Sequence, residues 1–144
     1  PWVLKAKAEY GANQVLFCPN GDVQETGASN FILINGDEII TKPLTDEFLH
    51  GVTRDSVLTV AKDLGYTVTE RNFTVDELKA AVENGAEAIL TGTAAVISPV
   101  TSFVIDGKEI EVKSQERGYA IRKAITDIQY GLTEDKHGWL VEVC

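Results

Sequence analysis

Apolar residues recur with helical spacing in three segments of the chain. The first predicted helix runs over residues 53–64 and ends at Gly65. The second opens on the capping box Thr74-Val75-Asp76-Glu77, continues through Val82 and closes at Asn84-Gly85, and the third spans residues 118–130. On the first helix we expect an inner face of Val57, Leu58, Ala61 and Leu64 and an outer face of Arg54, Asp55, Lys62 and Asp63.

Short runs rich in β-branched and aromatic residues separate these helices and predict strands. The predicted strands cover residues 14–17, 30–34, 38–41, 66–71, 87–92, 103–105 and 109–112, with another short strand in the tail at 134–144. Asn35-Gly36-Asp37 matches a tight hairpin turn because Asn and Gly tolerate positive φ. Asn20-Gly21-Asp22 is a similar turn, and Ser98-Pro99 is expected to break the chain after residue 97. Helices interleaved with hairpins favour a single α/β domain, loosely a mixed α+β fold with a mixed sheet.

Composition and charge narrow the classes of partner. The chain has 144 residues, of which 44% are hydrophobic, which is sufficient for one core. A net charge of −9 argues against nucleic acid as the main partner, because phosphate binding relies on Lys and Arg. The longest apolar runs fall far short of the roughly 20 residues that span a bilayer, so no membrane partner is expected.

The two cysteines and the first residues give expectations about compartment and chain boundaries. Cys18 and Cys144 lie far apart without metal-ligand spacing, which predicts no metal site and two thiols in a reducing, intracellular compartment, cytoplasmic or an organellar matrix. No signal peptide is evident at the start. Residues 3–8 have the pattern of a helix end without a preceding cap, so we expect the chain to be cut from a longer one.

Three glycine-containing stretches carry the candidate chemistry: ETGASN (25–30), LHGVTR (49–54) and TGTAA (91–95). The first amides of a helix lack internal partners and carry the positive end of its dipole, so the last two stretches suit an anion such as phosphate. Taken singly, Thr53 is better explained as an ordinary helix cap, Gly92 as a strand-end bend and Glu25 as a solvated turn acid, and only their co-occurrence favours a phosphate site. His50 and His137 are interpreted as surface groups rather than general bases, although His50 abuts the proposed anion loop.

Together these stretches resemble the C-terminal half of the fold-type IV (class IV) aminotransferases, which use pyridoxal 5'-phosphate, and most closely the branched-chain group. The resemblance rests on VQETGASNF (23–31), KPLTDEFLHGVTRDSVLTVAKDLGYTVTER (42–71), TGTAAVISPV (91–100), TDIQYG and EDKHGW, in the same order and spacing. It covers essentially the whole chain. It implies a partly barrel-like mixed sheet flanked by helices, as in the large domain of D-amino-acid-aminotransferase-like enzymes.

The resemblance also implies roles for individual residues. Glu25 would pair with the pyridine nitrogen of the cofactor and keep the ring protonated as an electron sink. Leu49 would pack against the ring, and Ala28 would lie in the substrate pocket. The phosphate would be bound at Gly51, Val52, Thr53, Gly92 and Thr93, while Ala94 and Ala95 would line the substrate pocket.

Several positions depart from the family pattern. His50 stands where proline is usual, Ala28 where a hydroxyl residue is common, and Ser29 where methionine is frequent. Ala95 and Ser98 occupy the positions of a CxxC found in some relatives, so no redox switch of that kind is expected. The missing hydroxyl at Ala28 bears on substrate range.

The lysine that forms a Schiff base with the cofactor lies, by the resemblance, upstream of Pro1, so the chain contains no catalytic residue of its own. Residues 1–144 are then a single C-terminal, cofactor-binding domain without its N-terminal domain, inactive in isolation, with an exposed apolar face. The implied parent is a homodimer that transfers the amino group of Leu, Ile or Val to 2-oxoglutarate. The alternatives are a catalytically dead binding or interaction module, and another fold-type IV enzyme such as D-amino-acid aminotransferase or 4-amino-4-deoxychorismate lyase.

Overall fold

A computed structural model describes residues 16, 18–23, 29–43, 52–92, 96–105 and 108–129. It contains three helices, which are α1 (Val52–Asp63), α2 (Val75–Glu83) and α3 (Glu116–Gln129). Its strands are β1 (Asn30–Asn35), β2 (Glu38–Thr41), β3 (Thr67–Glu70), β4 (Glu87–Gly92), β5 (Val96–Pro99), β6 (Ser102–Ile105) and β7 (Lys108–Glu111). Within this described part of the chain, no helix combines the length and the apolar character needed to cross a membrane.

Five strands form one mixed sheet in the order β3-β2-β1-β4-β5, and β6 and β7 form a separate hairpin. β2 and β3 are parallel, with α1 as the crossover between them, whereas the neighbouring pairs β1–β2, β1–β4 and β4–β5 are antiparallel. The turn between β1 and β2 places Gly36 at φ +60°, as a tight hairpin turn demands. The predicted mixed sheet flanked by helices is therefore confirmed.

Strand alternation divides the core into two layers, one on each face of the sheet. The first layer packs the sheet against α1 and α3 through Ile32, Ile34, Ile39, Val57, Leu58, Val60, Ala61, Ile89, Ile97, Ile121 and Ile125. The second packs the opposite face against α2 and the β6–β7 hairpin through Val23, Phe31, Leu33, Ile40, Phe73, Leu78, Val82, Ala86, Ala88 and Val112. Because both faces are covered, β1 has four consecutive buried residues instead of alternating ones.

Most predicted element boundaries differ from the observed ones by a residue or two. Thr74 is the cap of α2, and its hydroxyl accepts a hydrogen bond from the Glu77 amide at 3.2 Å. α3 begins at Glu116, two residues before the predicted start. The predicted strands at 14–17 and 134–144 and the predicted helix end at 3–8 lie wholly or mostly outside the described residues.

Three sequence-based expectations about α1 and β5 are wrong. Arg54, expected outside, is 2% exposed, and Leu64, expected inside, is 50% exposed because α1 ends one residue before it. Ser98-Pro99 does not break the chain but completes β5, where Pro99 pairs with Ile89. An edge strand accommodates proline, since its outer side needs no ladder hydrogen bond.

The start of α3 is held by a buried carboxylate. Glu87, at the beginning of β4, accepts hydrogen bonds from the amides of Arg117 and Gly118 at 3.2 and 3.1 Å. These are first-turn amides that the helix itself cannot satisfy, and the carboxylate also complements the helix dipole. Gly118 then brings α3 so close to the sheet that a Cβ there would lie 2.9 Å from Ile89 Cγ2 and 3.4 Å from Pro99 Cγ.

We predict that Gly118→Ala lowers the free energy of unfolding by about 1–3 kcal/mol, because the added methyl overpacks the contact between α3 and β4. The higher helix propensity of alanine offsets at most about 1 kcal/mol of this loss. Urea denaturation measures the difference. The matched control is Arg122→Ala, on an exposed position of the same helix, which we expect to change stability by less than about 0.5 kcal/mol. Equal stabilities for the two variants would contradict the close approach.

Candidate functional site

Antiparallel pairing brings separate parts of the sequence together at one end of the sheet. Asn30, the first residue of β1, pairs with Thr91 near the end of β4, and Gly92 pairs with Val96, the first residue of β5. β2 and β3 end at the same side, where Thr41 pairs with Glu70. We call this the Thr91 end of the sheet. Residues 24–28 and 93–95 are outside the described part of the chain, and the described residues that flank these two segments lie at this end.

The first turn of α1 is hydrogen bonded to the Thr91 end of the sheet through the side chain of Arg54. Its Nη2 donates to the carbonyl oxygen of Lys42 at 3.0 Å and to Glu70 Oε1 at 2.9 Å, while Nη1 lies 3.4 Å from Asp55 Oδ1. Lys42 follows β2 directly and Glu70 is the last residue of β3. One guanidinium therefore joins the start of the helix to the ends of both parallel strands.

Lys42 extends this network toward the segment that precedes Glu25. Its ammonium forms an ion pair with Asp22, three residues before Glu25 in the sequence. The chain is held there by a backbone bridge between Asp22 and Thr74 and by a hydrogen bond from the Val23 amide to the Phe73 carbonyl at 2.9 Å. The described parts on either side of the site, α1 and residues 22–23, are thus connected through Lys42.

Thr91 carries a buried hydroxyl that has no hydrogen-bond partner among the described residues. Its side chain is 1% exposed and lies on the sheet face of Ile89, which is the face covered by α1 and α3. Leaving such a hydroxyl unsatisfied costs about 1–3 kcal/mol. Its position two residues before Thr93, at the end of the sheet where α1 starts, is suited to hydrogen bonding with a bound ligand.

The structure describes three of the predicted site residues in part. Val52 and Thr53 are the first two residues of α1, so their amides belong to the helix start that the sequence predicts to bind an anion. Gly92 is the last residue of β4. The other predicted site residues lie outside the described residues, and so does His50; they are Glu25, Ala28, Leu49, Gly51, Thr93, Ala94 and Ala95.

Sequence reasoning missed Arg54 and Thr91 as components of this region. The signal for Arg54 was present, because position 54 lies three and four residues before Val57 and Leu58 and therefore shares their inner face. A charged residue at such a position indicates a buried partner network. For Thr91 the signal was weaker, since alternation along β4 places it on the face of Ile89 but says nothing of its partners.

Tyr66, whose phenol has a raised pKa, lies at the opposite end of the sheet from Thr91. Burial raises the pKa of the Tyr66 phenol above its usual value of 10.0, with a smaller opposing effect from Arg117 and smaller contributions in the same direction from Glu87 and Asp37. Tyr66 precedes the first residue of β3, so it lies away from the Thr91 end. Among the described residues, no group of three or more His, Cys, Asp or Glu side chains could hold a metal ion.

Comparison with known proteins finds relatives in both sequence and fold. A probable branched-chain-amino-acid aminotransferase of Staphylococcus epidermidis is 38% identical over 141 residues, which cover 92% of this chain and 39% of that protein. The fold matches the branched-chain aminotransferase of Thermoproteus uzoniensis solved with norvaline, with a TM-score of 0.80 and 31% identity over 96% of this chain and 44% of that one. It also matches the branched-chain amino acid aminotransferase of Thermobaculum terrenum solved in its PLP-bound holo-form, with a TM-score of 0.79, 30% identity and coverage of 96% and 44%.

The chain thus spans less than half the length of these relatives. The family model for class IV aminotransferases matches residues 2–103, well over half of the chain. That match includes α1, α2 and β1–β5, and therefore all the strand ends that form the Thr91 end of the sheet. The chain belongs to the class IV aminotransferase family.

Proposed function

We propose that this chain is the cofactor-binding part of a branched-chain amino-acid aminotransferase, whose complete form transfers the amino group of Leu, Ile or Val to 2-oxoglutarate with pyridoxal 5'-phosphate. The observation that carries the proposal is the arrangement at the Thr91 end, where the α1 start is joined to the ends of β2 and β3, and where the start of β1 and the end of β4 also lie. Of the three glycine stretches, ETGASN (25–30) leads into β1, TGTAA (91–95) follows from β4, and LHGVTR (49–54) leads into α1. The names of the relatives supply the substrate class.

The Thr91 end fits a phosphate group on two counts. The amides at the start of α1 provide donors and the positive end of a helix dipole, and the buried Thr91 hydroxyl needs a partner. In the proposed site, Gly51, Val52, Thr53, Gly92 and Thr93 bind the phosphate. A phosphate accepts several hydrogen bonds at once, so it would satisfy donors that the described residues leave without one.

Beyond the phosphate, Leu49 packs on the ring in this proposal, and Glu25 accepts a hydrogen bond from the protonated pyridine nitrogen. Ala28, Ala94 and Ala95 line the substrate pocket. When bound, the cofactor supplies an electron sink for the carbanion formed at the substrate's α-carbon. The role of Glu25 is to hold a proton at one ring atom, which preserves that capacity through the reaction.

The remaining catalytic parts belong to sequence beyond this chain in our proposal. A lysine upstream of Pro1 holds the cofactor, an N-terminal domain of the same protein completes the substrate pocket, and two copies form a homodimer. Amino acid and 2-oxo acid substrates follow from this assignment. The isolated chain would accordingly have little or no activity.

The substrate assignment is tested with the full-length protein that contains this chain. We expect transamination from L-leucine, L-isoleucine and L-valine to 2-oxoglutarate to exceed that from D-alanine by at least about a hundredfold in kcat/KM, which is close to 3 kcal/mol of discrimination. A preference for D-alanine would assign the chain to another branch of the family. No transamination by a folded full-length protein would favour the alternative of a binding or interaction module.

We predict that Glu25→Gln lowers kcat of the full-length protein about tenfold to a hundredfold, because the ring nitrogen loses a charge-assisted hydrogen bond of about 1.5–3 kcal/mol. Steady-state kinetics with L-leucine measures the change. Glu83→Gln, on an exposed residue at the end of α2, is the matched control and should leave kcat unchanged. An unaltered kcat in Glu25→Gln would refute the pairing with the ring nitrogen.

We predict that Thr91→Val stabilises the cofactor-free protein by about 1 kcal/mol and weakens pyridoxal 5'-phosphate binding about tenfold, since the hydroxyl is unsatisfied without the ligand and bonded with it. Thermal unfolding and cofactor titration measure the two effects. Thr41→Val is the control, because Thr41 is equally buried but its hydroxyl donates to the Phe31 carbonyl at 3.4 Å. It should not gain stability, and it should retain the wild-type affinity. If both variants behave alike, Thr91 has no role in phosphate binding.

A further inference from the structure

Arg54 is unusual because its charged side chain is buried and forms hydrogen bonds with residues from two different strand ends. At 2% exposure, Arg54 is among the largest fully buried side chains of the described residues. Burying a guanidinium is expensive unless its donors are satisfied with good geometry. Arg54 meets that requirement with a backbone carbonyl and a carboxylate, from Lys42 and Glu70, both within 3.0 Å of Nη2.

Stability alone does not account for an arginine at this position. A pair between the buried guanidinium and the Glu70 carboxylate, which is 49% exposed, contributes little or nothing compared with apolar residues of similar volume, and the inner face of α1 otherwise carries the buried apolar residues Val57 and Leu58. What the guanidinium provides is geometry, because its planar fork fixes direction as well as distance. A hydrophobic residue would bury the helix without fixing how far the helix start lies from the strand ends.

We propose that Arg54 is a positioning residue for phosphate binding, which sets the α1 start against the ends of β2 and β3 so that the amides of Val52 and Thr53 converge on the anion. The inference rests on the proposed function, since it assigns a role within the same site. Arg54 itself does not touch the phosphate. It acts through the backbone, because Thr53 directly precedes Arg54, whose guanidinium is bonded to the strand ends.

The position of Lys42 gives this anchor a second consequence. Its carbonyl accepts a hydrogen bond from Arg54 and its ammonium pairs with Asp22, so Lys42 is bonded both to α1 and to the segment at residues 22–23 that precedes Glu25 in the sequence. In the proposed function the α1 start binds the phosphate and Glu25 pairs with the ring nitrogen. Lys42 therefore connects α1 to residues 22–23, which precede the residue proposed for the second role.

The chain contains a close internal control for Arg54. Arg71 follows Glu70 directly and forms an ion pair with Glu77 at 2.9 Å, the same distance as the pair between Arg54 and Glu70. Both members of the Arg71 pair are substantially exposed, with side-chain exposures of 40% and 48%. An exposed pair of this kind contributes about 0–1 kcal/mol and fixes little.

The experiment compares the affinities of pyridoxal 5'-phosphate and pyridoxal, which lacks the phosphate, for the cofactor-free full-length protein. Because Arg54 acts on phosphate binding, Arg54→Met should weaken the phosphorylated ligand about tenfold, the equivalent of one hydrogen bond to a charged group, and leave pyridoxal within about twofold. The readout is the dissociation constant of pyridoxal divided by that of pyridoxal 5'-phosphate. A purely structural loss would weaken both ligands together. The ³¹P NMR shift of the bound phosphate gives an independent signature.

Two further variants keep the test decisive where Arg54→Met folds poorly. Arg54→Lys retains the charge and one acceptor but loses the fork, and Glu70→Gln weakens one of the two anchors; each should reduce the ratio by less than Arg54→Met does. Arg71→Met should retain the wild-type ratio. If wild type itself binds both ligands equally, the proposed function fails. If wild type prefers the phosphorylated ligand and every Arg54 and Glu70 variant keeps the wild-type ratio, the positioning role is overturned and the proposed function stands.

Discussion

The buried guanidinium of Arg54 is the contact on which the geometry of the Thr91 end depends. The β2–α1–β3 crossover alone requires only that α1 pack on the sheet, and apolar contacts such as those of Val57 and Ala61 are non-directional, so they leave the helix start some freedom of position. Hydrogen bonds from Arg54 to Lys42 and Glu70 remove that freedom at the helix start. A binding site assembled from helix amides needs this, because hydrogen bonds to an anion weaken steeply with misalignment.

The mixed sheet brings strand ends that are distant in sequence to one end of the fold. In the antiparallel pair of β1 and β4, the start of one strand necessarily lies beside the end of the other, and the register from Asn30 to Thr91 fixes this to the residue. The parallel pair of β2 and β3 ends at the same side. An all-parallel arrangement with the same loops would have placed the segment before β1 at the opposite end of the sheet.

α1 and α3 pack on the same face of the sheet, but the first turns of the two helices are held in different ways. At α3, the protein's own Glu87 carboxylate occupies the first-turn amides of Arg117 and Gly118, which closes that helix start to outside anions and fixes the helix to β4. At α1, the fixing is done instead by a cation in the first turn, Arg54, from the side of the sheet. In the proposed function this division leaves the α1 amides to the phosphate, because the Arg54 side chain that holds the helix start does not compete for them.

Sequence alone determined the elements whose signals are local. The hairpin turn at Gly36, the Thr74 cap and the apolar faces of the helices follow from φ preferences, capping and periodicity, which depend on neighbours in the chain. The glycine stretches also identified the family, because their order and spacing are a property of the sequence itself. Tertiary structure decided what each polar side chain meets. It buried Arg54 against Lys42 and Glu70, left the Thr91 hydroxyl without a hydrogen-bond partner in the described part of the chain, exposed Leu64 beyond the helix end and accommodated Pro99 on an edge strand. Those outcomes depend on partners that are distant in sequence, and no local pattern specifies such partners.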